Sequence, residues 1–302
     1  MRRKINYLFC SLFVVLFATA PTFAQTTADK AITIPFTLLP SGHILVKATI
    51  AGVEGNFVFD TGAGITAITK SYFDKLKGTE KEDGGYTGFR ATGERLDLEL
   101  YKVNNFALAG LKKGKIELSA IDANLGGIDG IIAMNVFGDR PFTIDFTAQQ
   151  IKVETRQTLA TAKQNASLIH IQPEDARGKS LTVFAYYKVN DTLTLQFSMD
   201  SGAGKDVYRL NSNLMARLGV DASDTTKVRK IAKPSEMNNG HVSSIYLTRL
   251  SKLATIDAPQ LSTTNFPVQF VEGLIYDGIL WINWLGKQLT FDVANKSLWV
   301  RK

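Results

Sequence analysis

Phe57-Val58-Phe59-Asp60-Thr61-Gly62-Ala63-Gly64 and Phe197-Ser198-Met199-Asp200-Ser201-Gly202-Ala203-Gly204 are one phrase written twice: an apolar run that delivers an aspartate into a glycine-rich turn. The aspartates stand 140 positions apart. Asp129-Gly130-Ile131-Ile132 returns 148 positions later as Asp277-Gly278-Ile279-Leu280, and Ile144-Asp145-Phe146 returns after 147 as Phe291-Asp292-Val293. Three ordered matches at nearly constant offset predict two similar halves. If the halves pack about a pseudo-twofold axis, Asp60 and Asp200 meet on it.

The surrounding pattern is strand-like. Ile44 to Ile50 is β-rich, Ala51 to Gly55 supplies turn residues, and Asn56-Phe57-Val58-Phe59 returns as a hairpin ending at Asp60. Leu181 to Val189, the turn Asn190-Asp191 and Thr192 to Met199 repeat that plan up to Asp200. Short helix-like stretches follow each loop, near 70–76 and 212–218, with Gly219 placed to end the second. Several short strands with frequent turns predict an all-β protein of two β-barrel lobes. The small polar stretch Gln157 to Ala166 lacks strand alternation, so the lobes are divided as residues 25–157 and 158–302.

The first 24 residues read as a signal peptide. Arg2, Arg3 and Lys4 precede the apolar run Leu8 to Ala20, and Thr22-Phe23-Ala24 offers a small residue for cleavage before Gln25. An uncleaved membrane anchor is the other reading of this run. Export, to the periplasm or beyond the cell, is the expectation, with no integral membrane segment left after cleavage. Removing residues 1–24 takes away three basic residues and no acidic one, so the formal charge falls from +7 to +4. That excess is dispersed. Its densest cluster, Lys112, Lys113 and Lys115, reads as a solvated turn and not as a nucleic-acid surface. Cys10, the only cysteine, lies inside the apolar run, so a mature chain has no disulfide and no thiolate nucleophile.

Two aspartates at the ends of matched hairpins suit one chemistry. Carboxyls about 3 Å apart cannot both ionise easily and share a proton. In that state one accepts a proton from water while the other donates to a substrate carbonyl, which is general acid–base attack on an amide without a covalent intermediate. Gly62 and Gly202 let the turns tighten and bring N–H groups to the carboxylates. Thr61 and Ser201 carry hydroxyls suited either to bracing one loop on the other or to simple turn capping.

This constellation resembles the aspartic proteases, in particular the bacterial pepsin-like and retropepsin-like group. The resemblance covers nearly the whole chain after residue 24: hairpin, flap and downstream apolar segment in each half. It implies the acid-protease fold, two homologous lobes about a pseudo-twofold axis, with Asp60 and Asp200 as the catalytic pair. It implies an endopeptidase that needs no cofactor or metal and acts on peptide or protein substrates. Its lobes, shorter than those of large pepsins and without a visible long pro-segment, look like a retropepsin dimer fused into one chain, hence a monomer. The first flap would be the hairpin Gly84-Gly85-Tyr86-Thr87-Gly88, where Tyr86 either touches the substrate or is an ordinary exposed tyrosine. The second would lie near Asn238-Asn239-Gly240-His241.

The sequence departs from that family where glycine normally follows two apolar residues: Ala133 and Trp281 stand there. Asn135 and Asn283 replace an aspartate often found two residues later, and Gly64 and Gly204 replace a more usual polar residue. An indole in place of glycine demands repacking around Asp200. The alternative function is therefore a catalytically impaired peptide-binding protein with the same cleft. Trp281, Trp284 and Trp299 are read as core residues. Gly62-Ala63-Gly64-Ile65-Thr66-Ala67 fits a dinucleotide-loop pattern, but the flanks are antiparallel hairpins, which argues against that site. His43, His170 and His241 lack zinc or serine-triad contexts and are read as ordinary surface or strand residues.

Overall fold

Alternation sets the first hairpin. In Ile44–Ile50 every second side chain, from Ile44 through Val46 and Ala48 to Ile50, is buried, the period of a strand with one face on a core. Ala51 and Gly52 turn the chain at φ 50° and 82°, both left-handed as a tight hairpin requires. Val53–Asp60 then returns with Ile50 opposite Val53 and Ile44 opposite Phe59. In the second half Ser180–Val189 and Leu193–Asp200 pair the same way, around Asn190 and Asp191 at positive φ. A computed structural model describes residues 30–90, 92–235, 240 and 242–302. The leader expected at residues 1–24 lies outside the described residues, as do Asn238, Asn239 and His241 of the second flap. Among the described residues no helix is long and apolar enough to cross a membrane.

Each aspartate strand runs parallel to the downstream apolar segment that the repeat singled out. Val53–Asp60 pairs with Gly130–Ala133, placing Asp60 opposite Ala133. Leu193–Asp200 pairs with Gly278–Trp281, placing Asp200 opposite Trp281. After each loop the chain crosses to the far side of that segment. Ala67–Thr69 pairs antiparallel with Gly130–Ala133 and parallel with Leu111–Ile121. Tyr208–Asn211 pairs antiparallel with Gly278–Trp281 and parallel with Ser262–Val271. Long strands close both rings: Arg95–Leu108 joins Leu111–Ile121 to Ile44–Ile50, and Val242–Thr255 joins Ser262–Val271 to Ser180–Val189. Two six-stranded barrels of matching strand order result, the all-β acid-protease architecture expected. Phe57, Phe59 and Phe106 fill the first and Tyr187, Phe197, Phe266 and Phe270 the second, all fully buried.

The halves are also joined at their base. Phe142–Asp145 pairs antiparallel with Gln288–Asp292, Thr143 opposite Thr290. These threonines are 147 positions apart, the offset of the repeat itself, so the pseudo-twofold axis passes through this pair. The Phe142 and Phe291 rings stack at 5.1 Å and 11°. Thr143 Oγ1 donates to Glu154 Oε1 at 2.7 Å, which leaves Thr290 Oγ1 to donate to Thr143 Oγ1 at 2.8 Å. The linker stretch without strand alternation contains the helix Arg156–Lys163, opened by a reciprocal cap between Thr155 and Thr158.

The first flap differs from its expected position. Residues 84–88 do not turn; they lie along the strand Glu80–Phe89, and the hairpin with Arg95–Leu108 reverses at 90–94. Gly84, at φ 87°, lies where the register shifts between Lys81 and Gly85, while Gly93, at φ 77°, serves the turn.

Replacing the threonines at the base separates their roles. Thr290→Val removes one buried hydrogen bond and is expected to cost about 0.5–1.5 kcal/mol. Thr143→Val also strips the donor from buried Glu154 and should cost about 1–3 kcal/mol, read as the shift in urea unfolding midpoint.

Candidate active site

The two turns meet on the axis through four hydrogen bonds, all between halves. Thr61 Oγ1 accepts from Ser201 N at 3.0 Å and donates to Met199 O at 2.8 Å. Ser201 Oγ accepts from Thr61 N at 3.0 Å and donates to Phe59 O at 3.1 Å. Both side chains are fully buried. Each hydroxyl thus holds the opposite turn by the amide after its aspartate and by the carbonyl before it.

That brace sets the carboxyls face to face. Each turn glycine abuts the aspartate of the other half, and the Asp60 carboxyl lies close enough to act on that of Asp200. Gly62 N donates to Asp60 Oδ1 at 2.7 Å, and Gly202 N donates to Asp200 Oδ1 at the same distance. The glycines are required by space: a Cβ on Gly62 would lie 2.5 Å from Asp200 Cγ, and one on Gly202 would lie 2.3 Å from Asp60 Oδ2. Symmetry stops at the next residue, where Ala63 N also donates to Asp60 Oδ1 at 3.2 Å. Asp200 is the more buried of the two. Burial, then the Asp60 charge and the hydrogen bond to Asp60, raise its carboxyl well above the usual carboxylate range, while Arg209 opposes that rise.

Tyr86 leans over the first turn. Its hydroxyl donates to Ser180 Oγ at 3.0 Å and lies 3.5 Å from the place a Cβ on Gly64 would take. It is therefore a bridge between flap and second half and not a free surface tyrosine, whereas Gly85 and Gly88 only lie along the flap strand. The flap is tied to the second half elsewhere too. Lys179 reaches Glu82 at 2.5 Å and Glu117 at 2.7 Å, and Lys102 also pairs with Glu82. The hydrogen bonds from Lys102 and Lys179 hold the Glu82 carboxyl down at about 2. At the tip, Arg90 donates to Ser235 Oγ at 3.0 Å, Ser235 donates to Glu94 at 2.6 Å, and Ser243 donates to Thr92 O.

Two residues differ from their sequence reading, and a third had none. His43 is not an ordinary strand residue: its Nε2 donates to Gly202 O at 3.0 Å, which leaves Nδ1 of the neutral ring to accept from Ser41 Oγ at 2.8 Å. Trp281 is partly exposed where its counterpart Ala133 is fully buried, and its buried indole N–H has no partner. The Asp200 turn keeps its geometry beside it. Arg209, unremarked in the sequence, shares a sheet face with Asp200. Trp284 does sit in the core between Tyr187 and Tyr208, and His170 faces solvent on Asp257. Among the described residues no cluster of histidine, cysteine or acidic side chains could hold a metal ion.

The brace predicts a sharp contrast. Thr61→Val leaves the Ser201 amide and the Met199 carbonyl unpaired in the interior and should cost roughly 2–4 kcal/mol. Thr61→Ser, which keeps the hydroxyl, should stay within about 1 kcal/mol of the parent in the same calorimetric melt.

Residues 46–136 match the family described as aspartyl protease. No curated protein sequence matches the chain. Among solved structures, Basic 7S globulin from soybean aligns with a TM-score of 0.51 at 10% identity, over 89% of this chain and 94% of that one. A structure described as edgp aligns with a TM-score of 0.49 at 8% identity, over the same shares. The match to the aspartyl protease family thus covers the first aspartate loop and the first half around it, and both halves share the acid-protease fold.

Proposed function

We propose that this protein is an exported aspartic endopeptidase in which Asp60 and Asp200 activate water against a peptide bond. One observation carries the reading: a fully buried brace holds the aspartate turns of opposite halves against each other, each turn glycine abutting the other half's carboxyl. Asp60 accepts two backbone N–H bonds and so is placed as the acceptor, while burial raises the Asp200 carboxyl well above the usual carboxylate range and suits it to donate. Asp60 takes a proton from the bound water as the water oxygen attacks the carbonyl carbon. Asp200 gives its proton to the carbonyl oxygen. The tetrahedral diol collapses as Asp60 passes its proton to the departing amide nitrogen, and a diol proton returns to Asp200. Tyr86 and the flap strand then line the peptide side of the site, and no cofactor is needed. The leader-like residues 1–24 support export to the periplasm or medium, and the fused halves support a monomer.

A peptide-binding protein without catalysis is the second reading, favoured by Trp281 beside Asp200. A mixed peptide library incubated between about pH 3 and pH 7 separates the two. Cleavage that disappears in Asp60→Asn and in Asp200→Asn is the expected result. Binding without cleavage at every pH would mean the binder.

Asp200 also gives a stability signature. Its folded-state affinity for a proton exceeds that of the unfolded chain, where an aspartate titrates near about 3.9. The folded form therefore binds more protons above that pH, and stability falls as pH rises. Asp200→Asn removes this cost. Its melting midpoint should exceed that of the parent at pH 7 and converge with it near pH 3, while activity is lost.

A further inference from the structure

The strand Tyr208–Asn211 sends alternate side chains to opposite sides. Tyr208 and Leu210 are buried in the barrel, Tyr208 against Phe266 and Trp284. Arg209 and Asn211 face the other way. Arg209 stands opposite Ile279, which stands opposite Ser198, two residues before Asp200 on its strand. Directly paired residues and their i+2 neighbours share a sheet face. Arg209, Ile279 and Asp200 therefore look out on the same side.

What surrounds Arg209 there is a small apolar wall. Ile245, Val271, Leu274 and Ile279 form a buried cluster, with Tyr276 packed against it. Tyr276 stands edge-on to Phe184 at 5.0 Å. The Arg209 side chain is partly buried, yet its guanidinium makes no hydrogen bond or ion pair with any described residue. Its charged neighbours are Asp200, which attracts it, and Arg90, which repels it. Arg90 already pairs with Glu94 at 3.1 Å. A guanidinium carries five donors in a planar fork that matches a carboxylate, and here no protein group takes them up. In the first half the equivalent position, opposite Ile131, is Ala67. The cation is thus on one side of the dyad only.

We propose that Arg209 is a specificity residue that receives a carboxylate of the bound peptide, and that the enzyme prefers an acidic residue on one side of the bond it cuts. This rests on the peptidase reading above. Arg209 lies two strands from Asp200, about 10 Å at the usual strand spacing. An extended peptide advances about 3.3 Å per residue, so the carboxylate belongs within about three residues of the scissile bond. It can come from an aspartate or glutamate side chain or from the peptide C-terminus.

The test uses the full-length mature protein and paired peptides that differ only by Glu against Gln at each position, with C-terminal acid and amide forms of each. The expected result is a kcat/KM ratio of at least about tenfold, or about 1.4 kcal/mol, for Glu over Gln at one position on one side of the cleavage point. Acid over amide giving that ratio instead would assign the carboxylate to the peptide C-terminus. In Arg209→Gln the ratio should fall to near one, and in Arg209→Glu it should invert in favour of Gln. Arg209→Lys, with charge but no fork, should fall between, and it carries the comparison if the neutral variant does not fold. A ratio near one in the parent at every position overturns the proposal. So does a ratio that survives Arg209→Gln, or an equal loss on both peptides with a shifted pH profile, which would make Arg209 only a counter-charge to Asp200. If no peptide is cut at any pH, the peptidase reading fails separately. Calorimetric binding of the same pairs then decides: a Glu preference abolished by Arg209→Gln sustains the proposal, and equal binding of both members rejects it.

Discussion

Four hydrogen bonds between Thr61 and Ser201 and their opposite turns govern the rest of this structure. Two carboxylates drawn together repel, and a joint with any play would let them separate until each ionised alone. The brace removes that play because each hydroxyl holds the backbone on both sides of the opposing aspartate. Both hydroxyls are fully buried, so water cannot compete for them. Loss of either leaves an unpaired amide and an unpaired carbonyl in the interior, and the aspartate between them loses its anchor.

The axis is fixed a second time at the base, where Thr143 and Thr290 meet among stacked phenylalanines. Between these two points the halves differ in length without disturbing the joint. The offset is 140 at the aspartates and 148 at Asp129 and Asp277, so the second half carries eight additional residues between loop and downstream strand. The barrel strands pair in the same order in both halves regardless. The extra residues fall in connections outside the closed ring, where added length costs little.

The repeat and the strand-like pattern made the hairpins, the aspartates at their ends and the matched downstream apolar segments legible from sequence alone. That those segments run parallel to the aspartate strands, with Ala133 opposite Asp60 and Trp281 opposite Asp200, is set by tertiary pairing. Nor was the flap turn legible, because a glycine at positive φ suits a bulge as well as a turn. Gly84 took the first role and Gly93 the second. His43 and Arg209 carried no local signal. Their significance comes from neighbours more than fifty positions away, Gly202 for one and Ile279 with Ser262–Val271 for the other, and strand order alone brings these together.

A symmetric brace does not distinguish the two carboxyls; their difference lies in what the halves do not share. Asp60 receives a second N–H bond from Ala63, whereas Asp200 is more deeply buried. Ala133 and Ala67 flank the first loop, and Trp281 and Arg209 occupy the matching places around the second. Two identical chains about a true twofold axis present the same surroundings to both aspartates on average. Joining the halves in one chain lets each side vary alone. One carboxyl can then be fitted as proton acceptor and the other as donor while the threonine–serine joint between them stays matched.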